Sequence, residues 1–241
     1  MTMSSTDTFA ARLADLQARI AAACVRAGRD PAEVALLPVS KTFPAEQIRA
    51  AMALGLRRFG ESKMQEVRDK AAALADCAVE WVVIGHLQTN KAKDAARLAA
   101  EVQSLDRLDL AQALDRRLRQ EGRVLDVLVQ VKTSDEPSKY GLDPAELPDF
   151  VRTVARDHSA LRVRGLMTLA VNSEDDEAVR ACFRLLRTWR DRLRDEAIAG
   201  VDMQRLSMGM SGDFELAIQE GSTELRIGSA LFGARDYGAP A

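Results

Sequence analysis

Leu206-Ser-Met-Gly-Met-Ser211, followed by Leu225-Arg-Ile-Gly-Ser-Ala-Leu-Phe-Gly233, is the part of the chain whose reading decides the fold. Each stretch is a short apolar run that ends in Gly and Ser, the residue types that let backbone N–H groups approach a phosphate. They are the last two strand candidates in the sequence. Phosphate loops after the last two strands are the habit of a (β/α)₈ barrel, whereas a doubly wound sheet carries its glycine-rich turn after the first strand. No Gly-x-Gly-x-x-Gly turn follows the first strand candidate here.

Working back toward the N-terminus, the same kind of apolar run recurs. Strand candidates are Val34–Ser40, Arg58–Glu61, Glu80–Gly85, Glu101–Leu105, Asp126–Lys132 and Leu161–Thr168, then Arg205–Gly209 and Glu224–Gly228. Between them lie Ala-, Leu-, Arg- and Glu-rich segments of helical character, such as Ala45–Leu54, Asp109–Gln120, Pro144–Asp157 and Asp176–Glu196. Eight strands alternating with helices predict an α/β protein, a single TIM-type (β/α)₈ barrel, with a doubly wound sheet as the alternative. Phe9, Leu13, Leu16, Ile20 and Cys24 recur at helical spacing before Gly28, so an extra N-terminal helix spans about 6–28. The barrel then runs over about 34–237 and the whole chain, 1–241, reads as one domain. Pro38 donates no ladder hydrogen bond, which predicts a bulge or irregularity in the first strand.

The apolar run that holds the first strand candidate continues through Val39-Ser-Lys41-Thr-Phe-Pro44. An ammonium is costly in apolar surroundings, so Lys41 is expected to face a ligand or anion, or to have its pKa lowered toward the nucleophilic amine. A strand-end lysine reaching solvent is the plainer alternative. The combination of this lysine with two phosphate-type loops points to an aldehyde cofactor that carries a phosphate, namely pyridoxal 5′-phosphate. Ser207, Gly209, Gly228 and Ser229 are the candidate phosphate contacts, each glycine being equally readable as a turn residue; Ser211 reads as well as a cap.

Composition is compatible with this reading. The chain has 241 residues, 47% hydrophobic and 29% charged, which suits one soluble globular domain. A formal net charge of −2 supplies no general attraction for nucleic acid or an anionic membrane. Three scattered cysteines, Cys24, Cys77 and Cys182, suit a reducing compartment. No run approaches about 18 apolar residues, and no basic-then-apolar leader opens the chain, so a cytoplasmic location is expected. No group of side chains has metal-ligand spacing.

Seven motifs, in order, carry a resemblance. Val39-Ser-Lys-Thr42, Phe59-Gly-Glu-Ser62 with Gln65-Glu66, Ile84-Gly-His-Leu-Gln-Thr-Asn-Lys91 and Gln130-Val-Lys-Thr-Ser134 with Ser138-Lys139 are followed by Gly165-Leu-Met-Thr168, Leu206–Ser211 and Arg226-Ile-Gly-Ser229. The set resembles the pyridoxal phosphate homeostasis protein family, single-domain proteins similar to the N-terminal barrel of alanine racemase. The resemblance implies the barrel, Lys41 as the Schiff-base lysine, and a protein that buffers and delivers the cofactor with no firmly established reaction of its own. It also implies Arg226 facing the pyridine nitrogen, Ser62 near the cofactor ring and apo-enzymes as recipients. Met167, near the end of the sixth strand candidate, reads as packing beside the ring. A monomer or weak homodimer is expected, with no nucleic acid or membrane partner.

The chain departs from the family pattern at Ser62, where asparagine is usual, and at Lys132, where the motif usually reads Gln-Val-Asn. Serine reaches less far, so a ring contact is lost or relayed by water. Lys132 is expected to pair with Asp135 or Glu136. His86 reads as structural, and Lys91 either helps hold an anion or is a solvated loop lysine. The alternative function is an amino-acid racemase, which needs a second base on an additional domain; a phosphosugar-type barrel enzyme explains the loops but not Lys41.

Overall fold

The computed structural model describes residues 5–136 and 139–233, with the side chains of 5–7 excepted. Eight parallel strands follow one another around a barrel: β1 (Ala35–Pro38), β2 (Arg58–Glu61), β3 (Glu80–Val83), β4 (Ala99–Leu105), β5 (Leu125–Gln130), β6 (Leu161–Met167), β7 (Arg205–Ser207) and β8 (Glu224–Ile227). The pairing order is β1-β8-β7-β6-β5-β4-β3-β2. A single bridge between Val39 and Gly60 joins the two ends.

Outside the strands lie α2 (Ala45–Ala53), α3 (Met64–Ala73), α4 (Ala92–Leu98), α5 (Leu108–Gln120), α6 (Leu147–Asp157) and α7 (Asp176–Asp195), then the short α8 (Phe214–Gln219) and α9 (Ser229–Phe232). The N-terminal α1 (Ser5–Arg26) packs on α2, α8 and α9. With α9 only four residues long, α1 supplies the apolar cover that a full-length eighth helix would give. It ends at Arg26, and Gly28 takes a left-handed φ of 65° while Arg29 N donates to Cys24 O at 2.9 Å. The stop expected at Gly28 is thus a left-handed C-terminal cap.

Alternation along each strand sends one set of side chains out to the helices and the other into the lumen. The outer layer holds the main core, with Phe59, Val127, Leu206, Leu225 and Ile227 against Ile48, Leu114, Phe183 and Phe214. Leu37, Val82, Leu128 and Met167 are buried apart from that cluster, inside the barrel. The lumen is far from purely apolar. Arg58 (β2) and Arg205 (β7) donate to Glu101 (β4), and Arg205 also reaches Glu224 (β8) at 2.6 Å. Contacts between strands so far apart in the order can only run across the interior, and the mutual pairing is what permits these charges to be buried.

No bulge marks Pro38. The β1–β8 register runs unbroken from Ala35↔Glu224 to Pro38↔Ile227. Ala35 N and Val39 N donate to β8-side carbonyls at Thr223 and Ile227, whereas Ser40 N donates to Gly60 O on the β2 side. The N–H that proline lacks therefore lies on the β2 side, where the ladder is reduced to one bridge. Its absence leaves the β8 ladder intact.

Candidate functional site

Lys41 follows β1 on the parity of Leu37 and Val39. Those two approach Gly60, where a Cβ would meet Val39 Cγ2 at 3.4 Å and Leu37 Cδ2 at 3.5 Å. The parity aims Lys41 toward the mouth of the barrel, and the residue is half-buried. Phe43 N donates to Ser40 O at 3.0 Å, closing a turn around Lys41 and Thr42. Thr42 has φ 71°, a conformation costly for a β-branched residue. Its N–H donates to Glu66 Oε2 at 2.7 Å.

Ser40, on the opposite parity, faces outward into a buried ionic cluster. Lys70, 8% exposed, donates to Ser40 O at 2.8 Å, Glu61 Oε1 at 2.7 Å and Glu66 Oε2 at 3.1 Å. Ser40 Oγ donates to Glu61 Oε1 at 2.6 Å, and Glu61 Oε2 is buried without a partner. Burial pushes the Glu61 carboxyl up to about 6, against the pull of Lys70 and Ser40. At Glu66 burial also pushes upward, but the Thr42 amide and Lys70 outweigh it and hold the carboxyl below its ordinary range. Sequence reasoning gave these groups no role. The available signal was the i, i+4 spacing of Glu66 and Lys70 on a helix just after a strand that ends in a carboxylate.

From β8, Arg226 enters the lumen 3% exposed. Its Nη1 donates to Ser207 Oγ at 2.9 Å and its Nη2 to Thr168 O at 2.6 Å. Burial lowers its pKa to about 10, with Glu224 and Asp213 pulling the other way. Neither carboxylate is an ion-pair partner, since Glu224 pairs with Arg205. Ser207 Oγ is fully buried, donates to Gln103 Oε1 at 2.7 Å and lies 3.0 Å from Glu224 Oε1. The hydroxyl proposed from sequence as a phosphate contact is thus engaged on three sides beneath Arg226.

The loops after β7 and β8 stand side by side. Gly209 has φ 97°, and a Cβ there would meet Ala217 Cβ at 2.6 Å, so only glycine fits. Gly209 O accepts from Arg226 N at 3.0 Å. Gly228 is buried at the head of α9, Ser229 is exposed, and Ser211 Oγ accepts from Ala230 N at 3.4 Å. The loop segments carrying Gly209, Ser211, Gly228 and Ser229 therefore meet at the end of the barrel that Lys41 also approaches.

Beside this mouth is a cleft of about 480 Å³ whose lining includes Ser62, Gly85, His86, Lys91 and Tyr140. His86 stacks on Tyr140 with ring centroids 4.1 Å apart, and its Nδ1 lies 3.6 Å from Asp106 Oδ2. Met167 is fully buried in the lumen, one residue before Thr168, whose carbonyl holds Arg226. Lys132 pairs with neither Asp135 nor Glu136 among the described residues; Glu136 instead takes Lys139 at 3.2 Å. Ser138 and residues 234–237, the end of the expected barrel span, lie outside the described residues. Among the described residues no group of three His, Cys, Asp or Glu side chains is placed to hold a metal ion, and no helix is long and apolar enough to cross a membrane.

The donor set suits a phosphorylated pyridine aldehyde. A lysine lies at one strand end, a guanidinium that can only donate is fixed below it, and Gly209 holds a left-handed turn after β7 packed against Ala217.

Residues 12–236 match the family described as alanine racemase, N-terminal domain. A Pseudomonas aeruginosa protein named pyridoxal phosphate homeostasis protein is 46% identical over 234 residues, 97% of this chain and 99% of its own length. The Aquifex aeolicus protein of the same name is 43% identical over 94% of this chain and 98% of its own. PipY of Synechococcus elongatus PCC7942, solved with PLP bound, has a TM-score of 0.81 at 36% identity, covering 93% of this chain and 100% of PipY. The chain belongs to the pyridoxal phosphate homeostasis protein family, whose barrel is the one found at the N-terminus of alanine racemase.

Proposed function

We propose that this chain binds pyridoxal 5′-phosphate covalently through Lys41 and buffers and delivers it to apo-enzymes, with no catalytic reaction of its own. The observation that carries the reading is the convergence of Lys41, Arg226 and the two Gly/Ser loops from β1, β8 and β7, three adjacent strands. The relatives' names and the cofactor bound to PipY support it. The cofactor supplies an electrophilic aldehyde for the lysine and an aromatic ring.

Each side chain then has a task. Lys41 would supply the neutral amine that condenses with the aldehyde, the carbonyl oxygen leaving as water. Gly209, Gly228 and Ser229 hold the phosphate through N–H groups and a hydroxyl. Met167 packs beside the ring, and Ser62 stands at its edge with a shorter reach than asparagine. Arg226 is a permanent donor, so it favours an unprotonated ring nitrogen and disfavours pyridinium. A ring in that state is a poor electron sink, which holds back carbanion chemistry and suits a carrier over a racemase. Ser207 supports Arg226 from below. The three free cysteines, Cys24, Cys77 and Cys182, fit the reducing cytoplasm.

Borohydride reduction of the loaded protein, followed by peptide mapping, tests the reading. The label is expected on the peptide holding Lys41 and is lost in Lys41→Ala. The loaded protein is also expected to reactivate a pyridoxal-phosphate-dependent apo-enzyme. Label on Lys91 or Lys139, or rapid α-proton exchange of L-alanine in deuterated buffer, would overturn it.

A further inference from the structure

Lys70 and Glu66 have no part in the contacts assigned above, yet each bonds a peptide group that flanks Lys41, and the two bond each other. Lys70 holds Ser40 O, Glu66 holds Thr42 N, and Glu61 holds Ser40 Oγ. A buried ammonium with three oxygen partners is costly to assemble, and an apolar filler would serve packing alone as well.

The structure assigns Glu66 and Lys70 as positioning residues for Lys41: they fix the peptide units before and after it, and so set the direction in which its flexible side chain leaves the strand. This rests on the reading that Lys41 is the attachment residue. Thr42 supports the assignment. A β-branched residue at φ 71° is strained and persists only where its surroundings over-determine it. The bond to Glu66 is such a determinant. The place matters too. Between β1 and β2 the main chain supplies only the Val39–Gly60 bridge, so the ionic cluster ties the end of β1 to β2 and α3 where ladder bonds are missing. Lys41 stands at the β1 end of this join.

Two ligands separate positioning from general support. One is pyridoxal 5′-phosphate; the other is 4′-deoxypyridoxine 5′-phosphate, which has the same ring and phosphate but no aldehyde. Lys70→Met and Glu66→Ala are expected to weaken binding of the aldehyde by about ten-fold or more, and to leave the deoxy ligand within about two-fold. Glu66→Gln keeps an oxygen for the Thr42 amide and is expected to recover most of the loss. In cofactor-free protein the Thr42 amide is expected to exchange with deuterium about ten-fold faster in Glu66→Ala. Equal losses for both ligands, or unchanged binding of the aldehyde, would overturn the assignment. If Lys70→Met does not fold, the Glu66 pair decides the matter, since that side chain is partly exposed. A wild-type label on another lysine would defeat the attachment reading itself, a result distinct from these.

Discussion

Phe43 and Phe232 stack with ring centroids 5.0 Å apart and planes inclined by 23°, and through them the turn that carries Lys41 rests on the helix that begins at Ser229. Phe9 of α1 meets the other side of the joint, 5.2 Å from Phe232. The covalent half and the phosphate half of the proposed site therefore share one aromatic contact. Phe232→Ala is expected to cost about 3–5 kcal/mol of stability in denaturant unfolding. A double-mutant cycle between Phe43 and Phe232 is expected to return about 0.5–1.5 kcal/mol of coupling. Strict additivity would mean that the two rings do not support each other.

Ser207 and Ser229 are expected to part company. Ser207→Ala removes a buried hydroxyl between Gln103, Glu224 and Arg226, so it costs about 1–3 kcal/mol of stability and weakens pyridoxal and its phosphate alike. Ser229→Ala, at an exposed position, weakens only the phosphate ester, by about 0.5–3 kcal/mol. Calorimetric titration with both ligands checks this. A selective loss of the phosphate ester in Ser207→Ala would contradict the depth at which the structure places that hydroxyl.

Gly209→Ala combines an unfavourable φ with a clash at Ala217, and is expected to lose at least about 1–3 kcal/mol of stability together with phosphate affinity. Gly212→Ala is the control. That position has open space and no positive φ, so thermal unfolding should move little.

Glu61 sets a pH dependence. Its carboxyl is raised from 4.5 to about 6 in the folded protein, so the native state binds the proton more tightly than the unfolded chain. Stability from this group is fully present below about 4.5 and is lost as pH rises through about 6, a change of about 2 kcal/mol. Glu66 runs the opposite way: its lowered carboxyl contributes above the ordinary glutamate range and loses that contribution in acid. Urea unfolding of wild type and Glu61→Gln between pH 4.5 and 7 is expected to show the wild-type advantage shrinking with rising pH. A constant difference would mean that Glu61 does not titrate in that window.

Much of the fold was legible because barrel strands buried on both faces leave nearly continuous apolar runs. Arg58–Glu61 was bounded to the residue, and Glu224–Gly228 missed by only one. Lys41 could be singled out because a charge at the end of such a run is conspicuous. Position across the wall was harder to read. Ser207 falls inside the seventh strand candidate and reads as a phosphate contact; it is the last residue of β7, and its hydroxyl faces the lumen, bonded to Gln103. Alternation gives the face of a strand residue but not its height along the barrel axis. Nothing in the local sequence marks Lys70 as buried; its partners, Glu61 and Ser40, are 9 and 30 positions away. Pro38 was read as a defect because its missing donor was assigned to no particular neighbour.

The way the barrel closes has a consequence for its cargo. Lys41, Arg226 and the Gly209 loop belong to β1, β8 and β7, a continuous arc with ladder bonds between successive strands. The thinly laced join lies at the border of that arc, between β1 and β2, and only Ser62 among the assigned contacts stands across it. The buried cluster of Lys70, Glu61 and Glu66 is what laces that join, so the end of β1 next to Lys41 is held by side chains where every other neighbouring strand pair is held by its main chain.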